Sequence, residues 1–299
     1  MSSDIRFDGR VAIVTGAGGG IGRQYALLLA ARGARVVVND IGGSVTGEGV
    51  DVGPAAAVVK EIIEAGGTAV ASTDSVSTPA GAGRIVQTAI DSFGTIDILV
   101  NNAGILRDAS FGKLTPEKLD AVLDVHLRGT FFVTMHAWQV MRQNSYGRIV
   151  STTSNSGLIG NFGQSNYGAA KMGIVGLTRV LSAEGRRSNI NVNAIAPAAI
   201  TRMTEGFVED EAARVLDPAY VAPVVAWLAH ADCNVTGEVI SAGGGRVARY
   251  FIGLTPGYFA ADMDPEAVRD HWNQVCDTTG YIIPAVPAEE MDLVMRNWT

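Results

Sequence analysis

An octapeptide, Thr15-Gly16-Ala17-Gly18-Gly19-Gly20-Ile21-Gly22, separates an apolar run at 11–15 from a helical pattern at 21–32. Glycines at such a point let the chain turn tightly and let backbone approach a pyrophosphate, which then lies on the N-terminus of the following helix. The same glycines could also serve as a plain strand-to-helix turn. Placed at the head of a βαβ unit, they read as a dinucleotide cradle, with Gly16, Gly20, Ile21 and Gly22 as the contact residues.

The rest of the chain supplies that context. Apolar runs at 35–38, 68–71, 96–100, 148–151, 190–195 and 238–241 are short and continuous, as expected of parallel strands buried on both faces. Between them lie helical patterns at 54–65, 79–93, 116–142, 165–187 and 218–230. Strict alternation predicts an α/β fold with a doubly wound, parallel, seven-stranded sheet of the Rossmann type. One domain is expected over residues 1–245. A C-terminal extension, 246–299, holds a short helix at 265–276 and is expected to pack on the domain or on a neighbouring subunit. A second departure from the alternation is a glycine-rich insertion, 40–52.

Composition narrows the function. Apolar residues make up 47% and charged residues 18%, which describes a compact chain. A net charge of −7 leaves no broad basic surface for nucleic acid. The two cysteines, Cys233 and Cys276, show no metal-ligand spacing, and no metal is expected. The acidic N-terminus lacks an apolar signal core. The longest late apolar run, 219–229, is too short to span a bilayer and is broken by Pro223. The final RNWT matches no targeting signal. A soluble, cytoplasmic protein without a membrane span is the expectation.

Four further sites carry chemistry. Asp40 ends the second strand, where a carboxylate can accept from adenosine ribose hydroxyls and would repel a 2′-phosphate; Ile41, Gly42 and Gly43 follow it with no arginine among them. NAD is therefore expected over NADP, although an aspartate there could also merely cap a loop. Asp74 and Ser75 follow the third strand, where an adenine edge would lie, but both are common loop residues. Asn101, Asn102, Ala103 and Gly104 end the fourth strand; they either border the cofactor ribose or form a structural turn. Ser154, Tyr167 and Lys171 complete the set. Tyr167 and Lys171 stand at i and i+4 and share a helix face. An ammonium group beside a phenol favours the phenolate, and a serine hydroxyl can hold a substrate oxygen. Alone, the same pattern is an ordinary amphipathic helix turn.

Together these motifs resemble the short-chain dehydrogenase/reductase family over roughly residues 7–245. The resemblance implies a nicotinamide cofactor. It also implies Tyr167 as acid/base, Lys171 as the group that lowers its pKa and binds the nicotinamide ribose, and Ser154 as the holder of the reacting oxygen. Pro197 and Thr201 resemble the segment that contacts the carboxamide, although Ala198 replaces the usual glycine and the threonine stands one residue early. A narrower resemblance, carried by RFDGRVAIVTGAGGGIGR, VVVNDIGG, NNAGILRD, VHLRG and GNFGQSNYGAAK, is to the (3R)-hydroxyacyl-CoA dehydrogenase branch found in peroxisomal multifunctional enzymes of β-oxidation. It places His126 where many family members use an asparagine to anchor a proton-relay water; a packed helix histidine is the alternative.

The expected reaction is NAD-dependent interconversion of a secondary alcohol and a ketone, most simply a 3-hydroxyacyl-CoA. A bulky hydroxysteroid is the rival substrate, with Phe162, Met203 and Phe207 able to line either pocket. A nucleotide-binding protein without turnover is the reading from another class. Family likeness suggests a homodimer or homotetramer built on the helices at 116–142 and 165–187.

Overall fold

The computed structural model describes residues 4–199 and 215–296. Among them, eight strands form one sheet in the order β3-β2-β1-β4-β5-β6-β7-β8. The strands are β1 (Val11–Thr15), β2 (Arg35–Asn39), β3 (Thr68–Ser72), β4 (Ile98–Asn101), β5 (Gly147–Thr152), β6 (Ile190–Pro197), β7 (Val239–Gly243) and β8 (Arg246–Tyr250). Every pairing from β3 across to β7 is parallel. The order reverses at β1, so β2 and β4 flank it, and the crevice beyond their C-terminal ends is the topological switch point.

Side chains alternate across β1. Ala12 and Val14 join a core layer with Tyr25, Leu29 and Ile62 of α1 (Gly20–Ala31) and α2 (Gly53–Glu64). Val11 and Ile13 join the opposite layer with Ile85, Val133 and Met141. These last residues stand on α3 (Pro79–Phe93) and α5 (Gly129–Gln143). Two helical layers around one sheet follow directly from strands that are apolar on both faces.

Helix boundaries follow local chemistry. The Thr78 hydroxyl accepts from the Gly81 amide at 3.1 Å with Pro79 at the first helical position, and Gly94 closes α3 in the left-handed region at φ 83°. The predicted helix over 116–142 is α4 (Pro116–Leu123) continued into α5 through one π-helical turn, Asp124–Arg128. The predicted helix at 218–230 is shorter: a 3-10 turn at Pro218–Tyr220, then Ala222–Ala229.

The eighth strand is an addition to the seven expected. Arg246–Tyr250 has an exposed or half-exposed pattern, so it shows no apolar run to find. The chain falls into two compact units that divide after Arg249. In the second unit the predicted helix at 265–276 is split by His271 into Pro265–Asp270 and Trp272–Val275, and a further helix runs over Pro287–Met295. Phe251 stacks on Tyr281 and Tyr258 on His271. None of residues 251–296 is buried. No described helix is long and apolar enough to cross a membrane.

Candidate active site

The glycine-rich turn joins β1 to α1. Gly16 and Gly20 take positive φ values, 64° and 53°. A side chain on Gly16 would stand 2.7 Å from the Ala103 Cα, and one on Gly22 would overlap the Gly16 carbonyl oxygen. Only glycine lets the turn close this tightly. The helix that follows has Gly19 as its N-cap and no side chain capping it. Its first amide groups and the positive end of its dipole therefore suit an anion.

The Asp40 carboxylate faces this turn. Oδ2 accepts from the Gly18 amide at 2.8 Å and Oδ1 from the Gly42 amide at 2.7 Å. Each oxygen keeps a lone pair for a further donor. Asp74 is less free: Arg84 Nε donates to it at 2.5 Å. The Ser75 hydroxyl pairs with that of Ser77 at 2.8 Å.

The four residues ending β4 divide their labour. Asn101 is buried and donates to Thr134 Oγ1 at 3.0 Å and Ser151 Oγ at 3.3 Å, tying β4 to α5 and β5. Asn102 donates through Nδ2 to the carbonyls of Thr15 and Gly16, both at 3.1 Å. The amides of Asn102 and Ala103 both donate to Thr15 Oγ1. These residues brace the glycine turn from behind; both asparagine side chains are occupied within the protein. Gly104 leaves room for the His126 ring, whose Cε1 stands where a side chain would begin.

His126 lies in the π-turn and is buried. Its Nε2 is 3.0 Å from the Ile105 amide nitrogen and 2.8 Å from the Ile105 carbonyl oxygen, while Nδ1 is buried without a protein partner. Burial, helped by the nearby Lys171 charge, pushes its pKa well below the usual histidine value, so the ring is neutral. It meets the Tyr167 ring edge to face at 5.1 Å.

Ser154 follows β5 and caps a short helix, α6 (Asn155–Leu158), by accepting from the Ser156 amide at 3.1 Å. Tyr167 and Lys171 stand on α7 (Ser165–Gly185). The Lys171 ammonium is buried, donates to the Thr152 carbonyl at 2.6 Å and lies 5.5 Å from the Tyr167 ring centre. Ser154, Tyr167, Lys171 and His126 are thus one cluster. Its electrostatics differ from the expectation of a phenol acidified by lysine. Burial pushes the Tyr167 pKa above its ordinary value; the Ser154 hydrogen bond pulls it down and the Asp108 charge raises it further. Burial also lowers the Lys171 pKa to about 7. Desolvation opposes both charges at once.

Pro197 ends β6, and the next residue, Ala198, donates to Ala242 at 2.8 Å. Thr201, Met203 and Phe207 lie outside the described residues. Phe162 is exposed. Three participants escaped the sequence reading: Thr15, which knots the turn; Asp108, which acts on Tyr167; and Asn166, whose side chain accepts from the Tyr167 amide at 2.8 Å. Each is an ordinary polar residue, and nothing in spacing marks it. No group of three or more described histidine, cysteine, aspartate or glutamate side chains could hold a metal.

The short chain dehydrogenase family model matches residues 10–212. Peroxisomal multifunctional enzyme type 2 of Mus musculus is 50% identical over 281 residues, which are 93% of this chain and 38% of that protein. A short-chain type dehydrogenase/reductase of Mycobacterium tuberculosis is 50% identical over 275 residues, 91% of this chain and 95% of that one. The full-length peroxisomal multifunctional enzyme type 2 structure from Drosophila melanogaster superposes with TM-score 0.83 at 39% identity, covering 98% of this chain and 50% of that one. A short chain dehydrogenase structure from Mycobacterium avium gives 0.79 at 44% identity, covering 94% and 98%. The chain spans well under half of the mouse multifunctional enzyme and nearly all of the mycobacterial proteins. It belongs to the short-chain dehydrogenase/reductase family, oxidoreductases that act on CH–OH groups with a nicotinamide cofactor.

Proposed function

We propose that this protein uses NAD to interconvert a (3R)-3-hydroxyacyl-CoA and the 3-oxoacyl-CoA. The observation that carries the alcohol chemistry is the half-buried Tyr167 phenol beside Ser154, one helical turn from the Lys171 ammonium. The preference for NAD is supported by Asp40. Its carboxylate reaches the glycine turn, where it accepts ribose hydroxyls and opposes an added phosphate. The acyl-CoA substrate is supported by the relatives named as multifunctional enzymes of the peroxisome, which are half identical to this chain.

The residues fit a dinucleotide. Gly16, Gly20, Ile21 and Gly22 offer a cradle that side chains would fill, and the uncapped start of α1 suits the pyrophosphate. Asp40 holds the adenosine ribose. Asp74 and Ser75 border the adenine, and Pro197 the carboxamide. When bound, the nicotinamide supplies the hydride acceptor. Ser154 donates to the carbinol oxygen and stabilises the charge that grows there. The Tyr167 oxygen takes the hydroxyl proton in oxidation and returns it in reduction. Lys171 holds the nicotinamide ribose, and its charge opposes the burial that keeps Tyr167 protonated. The free Nδ1 of His126 suits a relay water behind Tyr167.

An exposed groove of about 550 Å³ lies between α5 and α7, lined by Phe131, Met135, Trp138, Leu177 and Leu181. A second copy of the chain covers this face in a homodimer or homotetramer; sedimentation of the wild type and of a Met135→Glu variant tests it. The function is tested by following reduced nicotinamide across a panel of alcohols. Turnover of (3R)-3-hydroxyacyl-CoA with NAD is the expected result. Faster turnover of steroid alcohols, or of NADP, would replace the substrate or cofactor assignment.

A further inference from the structure

The glycine-rich insertion has no part in the mechanism above, yet its course is informative. It leaves β2 at Asp40, and its base is closed by the Asp51 amide donating to the Ile41 carbonyl at 2.9 Å. Within it the Ser44 amide donates to the Glu48 carbonyl at 2.8 Å. Its far end does not stay beside β2. The Leu106 amide donates to the Val45 carbonyl at 3.0 Å, and Arg107 Nε to the Thr46 carbonyl at 2.8 Å. Arg107 also pairs with Glu48 at 3.8 Å. Gly47, at φ 83°, lies so close to Ile105 that a side chain there would approach it to 3.1 Å.

Leu106 and Arg107 follow β4, whereas the insertion follows β2, and β1 lies between those strands. A loop that joins the two must cross the C-terminal end of β1, a span of about 10 Å at ordinary strand spacing. The glycine turn and the uncapped start of α1 lie at that end. The Arg107 carbonyl in turn accepts from Asn166 Nδ2 at 3.1 Å, and Asn166 precedes Tyr167 and accepts its amide. The insertion, Arg107 and the start of the tyrosine helix are therefore in series.

We propose that residues 41–52 are a strap closed across the pyrophosphate of the bound dinucleotide, latched by Arg107, and that opening this latch governs release of the dinucleotide. The proposal rests on the dinucleotide reading above. Arg107 is a positioning residue: its side chain acts through the strap, while its main-chain carbonyl holds Asn166 and is kept in any side-chain variant. It also keeps the Glu48 charge paired beside a diphosphate that would repel it.

Release of NADH is measured by stopped-flow fluorescence, chasing the preformed complex with excess NAD. Arg107→Ala is expected to speed release about ten-fold. Arg107→Lys keeps the charge opposite Glu48 but loses the directed bond to Thr46, and falls between. The melting temperature of the free variants holds while the increment conferred by NADH shrinks, a split that a merely structural role would not give. KM for the alcohol is unchanged. Unaltered release in both variants would overturn the strap. So would a raised alcohol KM with unaltered release, because it would move Arg107 to the substrate pocket. Wild-type protein that binds no NADH would instead overturn the dinucleotide reading itself.

Discussion

Lys171 is expected to weaken the fold that contains it. The unfolded chain holds this proton up to about pH 10.5, and the folded protein only to about 7. Between those values the unfolded state binds more protons, so this group makes stability rise with pH. At pH 7 the penalty is about 4 kcal/mol, from 1.36 kcal/mol per pKa unit. Lys171→Met keeps the side-chain length, removes that penalty and leaves the Thr152 carbonyl without its donor, a loss of about 1–2 kcal/mol. The net gain is about 2–3 kcal/mol. At about 2.1 cal/mol/K per residue, a chain of 299 residues shifts by roughly 1.6 °C per kcal/mol, so the melting temperature rises by about 4 °C. Urea unfolding at a series of pH values checks both size and sign. The variant is the more stable at pH 7, and its advantage disappears by about pH 10, where the folded amine is neutral and the remaining penalty, about 1 kcal/mol, is no larger than the lost hydrogen bond. Turnover falls sharply in the same protein. A variant less stable than wild type at pH 7, or an advantage equal at both pH values, would refute the burial argument.

Tyr167→Phe should lower kcat on the order of 10³-fold while calorimetry shows dinucleotide binding retained, because only the proton-transferring oxygen is lost. Asp40→Ser should narrow the preference for NAD over NADP by about ten-fold in kcat/KM, as removing the carboxylate removes its repulsion of a 2′-phosphate; an unchanged ratio would place the discrimination elsewhere. Gly104→Ala forces a methyl group into the His126 ring and should cost about 1–3 kcal/mol in urea unfolding, with kcat reduced as His126 is pushed against Tyr167.

The sheet was readable because parallel strands buried on both sides leave apolar runs that need no periodicity to find. The glycine turn was readable for the opposite reason: few residues tolerate its backbone. Other features depend on partners distant in sequence. Arg246–Tyr250 joins the sheet without burying an apolar row, so its strand is silent in the sequence. The Asn101 and Asn102 amides could face a ribose or the protein, and the spacing cannot show that Asn101 bonds Thr134, 33 residues downstream, and Asn102 bonds Thr15, 87 residues upstream. The i, i+4 spacing of Tyr167 and Lys171 gave their common face but could not give the burial that works against ionising the phenol. The strap was visible as an insertion; that it reaches Arg107 was not.

The π-turn at Asp124–Arg128 has a bearing on how this chain tolerates length changes. A π-turn holds about one residue more than the α-helical turn it replaces, which is a phase slip of roughly 100° in the helical wheel. Val133, Ala137 and Met141 lie beyond the slip and hold α5 in the core. Loss of one residue at Val125 would let the turn relax to ordinary α geometry and leave those anchors in register, while His126 would swing away from Gly104 and Tyr167. Single-residue deletions scanned along Pro116–Gln143 should therefore find one tolerated window in the middle of a continuous helix, a folded protein whose defect is confined to its chemistry.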